Sequence, residues 1–233
     1  MATNTLAKAA ERAKSEGRTV LTEIESKQVL AAAGIPVAVA HLATDADEAV
    51  KAAKKAGFPV VIKIVSPDIT HKSDVGGVRV GLESKKEVKQ AYEEMLQAVQ
   101  AKQPDARIEG VAVQAMAPAG TEVIVGVSKD PQFGHVIMFG LGGVLVEALD
   151  DVAFRVAPFD AGEAEEMIGE IHGHRLFGPV RGRPAVDRAA LVDLMVRVSE
   201  LADDRPELAE LDLNPVICSA HGAAIADARA VVG

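Results

Sequence analysis

Apolar residues follow two rhythms along this chain, one near 3.6 residues and one of two, and the rhythms alternate. Residues 4–16 read as a polar, Ala-rich helix. Thr22 and Glu25 have the spacing of a capping box and predict a helix from Thr22 to Gly34, stopped ahead of Pro36. Residues 38–42 read as a short strand. Thr44 is placed to cap a third helix, with Ala46, Ala49, Val50 and Ala53 on one face and Gly57-Phe58-Pro59 at its end. Residues 59–65 are strongly β-branched and predict a strand, followed by a polar loop at 66–76 and a strand at 77–82. Ser84 and Glu87 repeat the capping-box spacing, and Val88, Ala91, Tyr92, Met95 and Val99 line one helical face.

The second half is richer in strands, at 108–116, 121–127 and 135–139, with turns at 117–120 and around Asp130-Pro131. Residues 160–171 and 187–202 read as helices, the latter with Leu191, Leu194, Met195 and Val198 on its face. Between them, 171–184 is rich in Gly, His and Arg and reads as a loop. Residues 210–219 and 223–228 suggest a terminal hairpin. Gly-Gly-Val occurs at 76–78 and 142–144 with different flanks, so no repeat is inferred. Consecutive strands broken by helices predict an α+β fold rather than a doubly wound sheet. The expected division is a helical extension at 1–20, a lobe at 21–113 containing the loop 66–77, and a lobe at 114–233 containing the hairpin.

Composition narrows the function classes. The 233 residues are 48% hydrophobic and 25% charged, which suits a globular chain with a real core. Asp and Glu number 34 against 25 Lys and Arg, a net charge of −9, so nucleic acid is not an expected partner. Local lysines still suit a small phosphorylated ligand. A single cysteine, Cys218, excludes an intrachain disulfide, a cysteine zinc finger and a cysteine-ligated cluster. No apolar run has the length of a signal peptide core or of a membrane span, so a cytoplasmic protein without a membrane partner is expected. Aromatic residues are 3% and Trp is absent, which leaves no stacking platform for single strands.

Three places carry candidate chemistry. Lys63 interrupts Val60-Val61-Ile62-Lys63-Ile64-Val65; Val60, Ile62 and Ile64 share the core face and Lys63 lies opposite. A lysine there either snorkels to solvent, pairs with a carboxylate, or meets an anionic ligand such as a polyphosphate. The loop at 66–77 places His71 beside Lys72 and Ser73, ahead of paired glycines that let backbone N–H groups approach phosphate oxygens. Imidazole is a competent phosphoryl nucleophile near neutral pH, although a lone loop histidine is also compatible with idle solvation. In Glu210-Leu211-Asp212-Leu213-Asn214-Pro215, Asp212 and Asn214 share a face about 7 Å apart. A four-residue hairpin loop at 219–222 sets Asp227 opposite Asn214. Oxygen-only ligands of this kind suit Mg²⁺, and a solvent-facing edge is the alternative. Gln114, Glu122 and Glu147 are polar positions near the expected hinge, either ligand contacts or rim residues. Cys218 reads as core.

Taken in order, these motifs resemble the ATP-grasp subunit of the nucleoside-diphosphate-forming acyl-CoA synthetases. The resemblance is to the separate β subunit of the ADP-forming acetate–CoA ligase type, related to the succinyl-CoA synthetase β subunit. It rests on LTEIESKQVLAAAGIPV (21–37), FPVVIKIVSPDITHKSDVGGVRVGL (58–82), VQAMAPAGTEVIVGVSKDPQFGHVIMFGLGGVLVE (113–147), ELDLNPV (210–216) and IADAR (225–229).

The resemblance implies an ATP-grasp fold with the nucleotide clasped between two α+β lobes. It implies that Lys63 contacts the nucleotide phosphates and that His71, Lys72 and Ser73 lie in a phosphate loop, with His71 phosphorylated as a shuttle. Gln114, Ala117 and Glu122 match adenine and ribose contacts, and Asn214 and Asp227 match ligands of Mg²⁺. Asp212 matches an acidic residue that orients a partner's phosphohistidine. The implied reaction is acyl-CoA + phosphate + ADP ⇌ carboxylic acid + CoA + ATP. An α subunit carrying the CoA-binding domain and the other phosphohistidine is the implied partner, in an α2β2 hetero-oligomer. Other readings are an ATP-grasp carboxylate ligase of another class and a regulatory nucleotide-sensing module.

Overall fold

The β-branched run at Val60–Val65 forms strand β2, buried along its whole length. The computed structural model describes residues 2–143, 151–180, 182 and 184–233. Strand β2 lies inside an antiparallel sheet of order β1-β4-β2-β3, where β1 is Ala40–Ala43, β3 is Val78–Leu82 and β4 is Gly110–Ala115. Helices α3 (Ala46–Ala56) and α4 (Lys85–Lys102) pack on one face of this sheet. The side chains between them are Val60, Ile62, Ile64, Val111 and Val113 from the strands and Ala49, Ala53, Val88, Tyr92, Met95 and Val99 from the helices. Each fully buried Val or Ile contributes about 1.5–3 kcal/mol relative to exposure. Alternation along β2 and β4 then turns Lys63 and Gln114 to the opposite face.

These strands and helices, residues 38–116, form one body together with residues 22–27, the start of helix α2 (Glu23–Ala32). The capping box at that start is formed as expected: Thr22 N–H donates to Glu25 Oε2 at 2.8 Å, and Glu25 N–H to Thr22 Oγ1 at 3.3 Å. The box at Ser84 and Glu87 forms too, with Ser84 Oγ accepting from Glu87 N–H. Helix α3 differs from expectation. Asp45, not Thr44, is its N-cap, because the Asp45 carboxylate accepts from Glu48 N–H at 2.8 Å; the Thr44 hydroxyl instead donates to Glu48 Oε2.

The other body comprises residues 1–21, 28–37 and 117–233. Its sheet runs β10-β8-β5-β6-β7, with β9 pairing the far half of β8. The strands are β5 (Thr121–Asp130), β6 (Gly134–Leu141), β7 (Val152–Val156), β8 (Leu208–Ser219), β9 (Gly222–Ile225) and β10 (Arg229–Val232). Val123, Val125, Val127, Ile137, Phe139, Leu211 and Leu213 enter a core shared with helix α1 (Ala2–Ser15), the rest of α2, α5 (Ala161–Glu170) and α6 (Arg188–Asp203). Two strands depart from the sequence pattern. The 223–228 segment breaks after Ile225, and the chain returns as β10 along the near half of β8. β7 carries exposed Phe154 and Val156 on its outer face, so its apolar residues do not alternate. Residues 171–184 hold a 3₁₀ helix, His172–Phe177, where the Asp151 carboxylate accepts from the backbone N–H groups of His172 and Gly173. No helix among the described residues is long and apolar enough to cross a membrane.

Candidate functional site

The two bodies each gather part of the expected set. In the body built on β2, Lys63 is 6% exposed and its ammonium lies 2.9 Å from Glu23 Oε1. Lys27 reaches the same oxygen at 2.8 Å and also donates to Gln114 Oε1 at 2.5 Å. Lys72 approaches Glu23 Oε2 at 3.4 Å. One buried carboxylate is thus met by three ammonium groups, a local excess of positive charge on the sheet face away from the hydrophobic core. Burial alone raises the Glu23 pKa and is the strongest single influence. The fields of Lys63, Lys27 and Lys72 together outweigh it and bring the value down to about 2, so Glu23 is an anion.

The loop that presents Lys72 is pinned rather than loose. Ile69 and Val75 are buried in the core beneath it. Asp68 accepts from Arg107 N–H at 2.7 Å, and Lys102 Nζ donates to Asp74 O at 2.7 Å. Gly77 closes the loop, its N–H donating to Lys72 O at 2.7 Å. A Cβ at Gly77 would stand 2.5 Å from Ile64 Cγ2 and 2.9 Å from Lys72 O, so only glycine fits that closure. His71 and Ser73 sit exposed on the loop; their side chains make no hydrogen bond to a described residue. The loop therefore presents His71 and Ser73 outward and turns Lys72, between them, inward to the carboxylate.

In the other body, β8 carries Asp212 and Asn214 on the face opposite Leu211 and Leu213. Asp212 stands between Gly126 of β5 and Arg229 of β10. Next to it β8 contains an extra residue: Val125 faces Leu213, but Val123 faces Val216. This bulge falls at Asn214-Pro215 and leaves Asn214 exposed. The β8–β9 ladder ends at Val216 opposite Ile225, and Ala226 N–H to Pro215 O extends the same register one step. Asn214 and Asp227 are the next pair in that register, as the hairpin reading expects. Both are oxygen donors. Among the described residues no three His, Cys, Asp or Glu side chains group to hold a metal. A pair of one carboxylate and one carboxamide fits Mg²⁺, which keeps most of its coordination for water and phosphate oxygens.

Glu122 lies exposed at the start of β5, opposite Ile217. Its backbone carbonyl accepts from Gly142 N–H, and a Cβ at Gly143 would lie 3.4 Å from its Oε2, so the carboxylate overhangs the glycine turn after β6. Ala117 is half-buried at the start of the last segment of the same body. Glu147 falls outside the described residues. Cys218 is fully buried, and burial pushes its thiol up to about 12, which removes it from nucleophilic chemistry. Sequence reasoning passed over Glu23 and Lys27. An acid–base pair four residues apart at a helix start was the available signal, and helix capping accounted for its neighbours equally well.

Residues 12–232 match the ATP-grasp domain family. A β subunit of ADP-forming acetate–CoA ligase I from Pyrococcus furiosus is 45% identical over 222 residues, covering 95% of both chains. The chain belongs to the ATP-grasp family, among the β subunits of ADP-forming acetate–CoA ligases. The ATP-grasp fold expected from its motifs is the fold found. A longer ADP-forming acetate–CoA ligase from Archaeoglobus fulgidus is 48% identical over 220 residues, and the chain spans 32% of its length. A solved acetyl-coenzyme A synthetase 1 of Ca. Korarchaeum cryptofilum, in complex with coenzyme A and Ca-AMPCP, superposes with a TM-score of 0.95 at 45% identity, with both chains fully covered. Another structure of that enzyme holds coenzyme A and Mg-AMPPCP, with its phosphohistidine segment pointing towards the nucleotide site; the TM-score is 0.86 at 42% identity, again with full coverage.

Proposed function

We propose that this chain is the nucleotide-binding β subunit of an ADP-forming acyl-CoA synthetase. It moves phosphate between ATP and histidine while a partner α subunit handles CoA and the acyl group. The observation that carries this reading is the trio of lysines gathered on the non-core face of the β2 sheet, in a chain of this family. Excess positive charge in a protected place is a seat for phosphate.

In this reading Lys63 and Lys72 hold phosphate oxygens and offset the negative charge that spreads during transfer. Ser73 supplies a hydroxyl donor to the same oxygens. His71, exposed on the pinned loop, accepts the γ-phosphoryl group on a ring nitrogen: a P–N bond forms as the P–O bond to ADP breaks. The phosphohistidine then passes the group to the histidine of the α subunit, and the reverse sequence makes ATP. Asp212 orients the arriving histidine by accepting from its far ring nitrogen. Gln114, Ala117 and Glu122 take the adenine and ribose. Asn214 and Asp227 hold Mg²⁺, which when bound neutralises phosphate charge. The assembly is a hetero-oligomer with an α subunit, α2β2 in the simplest arrangement, in the cytoplasm.

The experiment is co-expression with the α subunit encoded nearest this chain, followed by an assay of ATP, CoA and a panel of short-chain and aryl carboxylic acids. Thioester and ADP are expected in equal amounts, and only when both chains are present. ATP binding with no ATP consumption, no thioester from any acid and no phosphate on either histidine overturns the synthetase reading in favour of a nucleotide sensor.

A further inference from the structure

Alternation along the strands gives the β10-β8-β5-β6-β7 sheet an outer face, turned away from its core. The pairings run straight across that face and set Arg229, Asp212, Gly126, Met138 and Phe154 in one row, one residue from each strand. In the neighbouring row Ser128, Val136 and Val156 lie beside Gly126, Met138 and Phe154. The face is thus charged at its β8 end and apolar at its β7 end. Phe154 is 54% exposed and Val156 46%, on an edge strand, with Met138 and Val136 half-buried next to them. None of the four belongs to either core. Adjoining exposed apolar side chains of this size mark a surface that another molecule covers.

Between the two ends lies Gly126. Val125 and Val127 are buried in the core, so the missing side chain of Gly126 leaves a gap on the outer face. Its backbone is outside the left-handed region, so the strand geometry does not call for glycine there. A Cβ at Gly126 would lie 3.3 Å from Met138 Cε and 4.0 Å from Leu211 O, close only to the flexible end of a side chain. Glycine within a strand costs stability and marks a place where a ligand or another chain comes close. Asp212 and Met138 stand one strand spacing away on either side, about 10 Å apart in all. The gap therefore has a carboxylate on one side, a thioether on the other and backbone as its floor. An imidazole suits these walls: a ring N–H donates to the carboxylate and a carbon edge meets the methyl group. A carboxylate accepts several hydrogen bonds, so Asp212 can take this one in addition to its contacts within the sheet.

We propose that this row is the docking site of the α subunit's histidine-bearing segment. The histidine enters over Gly126, and an apolar side chain beside it in that segment covers Met138 and Phe154. The inference rests on the synthetase reading above and deepens it by naming how the partner is recognised. Continuity selects this occupant over a second copy of the chain. The apolar strip runs through Gly126 directly to Asp212, which orients the arriving histidine in that reading. One imidazole on one carboxylate is a small contact for a segment of another protein, and the aromatic and thioether groups two strands away supply the rest. With one ring N–H held by Asp212, the other ring nitrogen carries the lone pair and takes the phosphoryl group. One P–N bond forms there as the P–N bond to His71 breaks, and no proton moves.

The test uses the full chain, the α subunit encoded nearest it and ATP labelled in its γ-phosphoryl group. Phe154→Ser shortens an exposed side chain, so ATP affinity should stay within about twofold of wild type. The chain should still label its own histidine, while the rate at which label reaches limiting α subunit should fall about tenfold. Gly126→Val fills the gap and should cut that rate about 100-fold, again with ATP affinity and self-labelling retained. A wild-type transfer rate in either variant overturns the proposal. So does a loss of ATP affinity or self-labelling that matches the loss of transfer, because that marks a general structural effect. If Gly126→Val does not fold, Phe154→Ser decides alone. A dimer of the isolated chain in sedimentation that Phe154→Ser dissolves assigns the strip to a second copy and also overturns the proposal. Wild-type protein that passes no label to the α subunit refutes the synthetase reading itself, and the docking site with it.

Discussion

Replacing Lys63 with methionine removes one ammonium group and keeps most of the apolar stem that crosses β2. The ammonium lies 2.9 Å from Glu23 Oε1 with its side chain 8% exposed, so the bond is charge-assisted and sheltered. Such a bond contributes about 1.5–3 kcal/mol. Stripping a buried charge of its only partner costs about 3–5 kcal/mol, but Lys27 and Lys72 still face Glu23 after the change. The expected loss of stability is therefore about 2 kcal/mol, which moves a urea midpoint by about 1 M for a slope typical of this size. The same ammonium is assigned to the phosphates, so ATP affinity should fall by about 30- to 100-fold. Lys86→Met, an exposed change on α4, serves as control and should shift stability by less than about 0.5 kcal/mol. Urea unfolding and calorimetry read both effects. A Lys63→Met protein that unfolds with the wild type and binds ATP within twofold of it refutes the reasoning, because neither the buried pair nor the phosphate contact would then exist.

Acid should weaken the wild-type chain in a way that isolates Glu23. Its pKa falls from an ordinary 4.5 to about 2 in the fold, so its contribution is complete above pH 4.5 and lost as pH drops towards 2. The unfolding free energy read from urea titrations should decline across that window by a few kcal/mol in the wild type and less in Glu23→Gln; equal slopes contradict the assignment. His71→Ala should abolish transfer of the γ-phosphoryl group of ATP to the α subunit while ATP affinity stays within twofold, and radiolabel reaching the partner at the wild-type rate disproves the shuttle. Asn214→Ala combined with Asp227→Ala should remove the part of nucleotide binding that depends on Mg²⁺. Calorimetry with and without the metal reads this, and an undiminished Mg²⁺ effect counts against the pair.

Local rules made much of the fold legible. The two capping boxes lie within four residues and form as written, and the β-branched run around Lys63 left one face for core and one for chemistry. The β8–β9 hairpin register was readable because a short turn fixes it. What escaped depends on distance. β10 gains its strand character from the near half of β8, and nothing in Arg229–Val232 alone distinguishes it from the end of the hairpin. Thr44 and Asp45 are both good caps, and the Asp45 carboxylate prevails because it reaches Glu48 N–H directly. Glu23 looked like an ordinary acidic residue in a first helical turn. Its ion-pair partner Lys63 is 40 positions away, and its neighbour Lys27 is held by Gln114, 87 positions away. No window on the sequence contains those partners together.

The central claim is that the lysines around Glu23 form the seat of the nucleotide phosphates. The most direct measurement is a crystal structure of the chain with Mg²⁺ and a non-hydrolysable ATP analogue. The account predicts phosphate oxygens within hydrogen-bonding distance of Lys63 Nζ and Lys72 Nζ, with at least one of these ammonium groups drawn away from Glu23. An analogue bound elsewhere, with Lys63 still 2.9 Å from the glutamate, would contradict it.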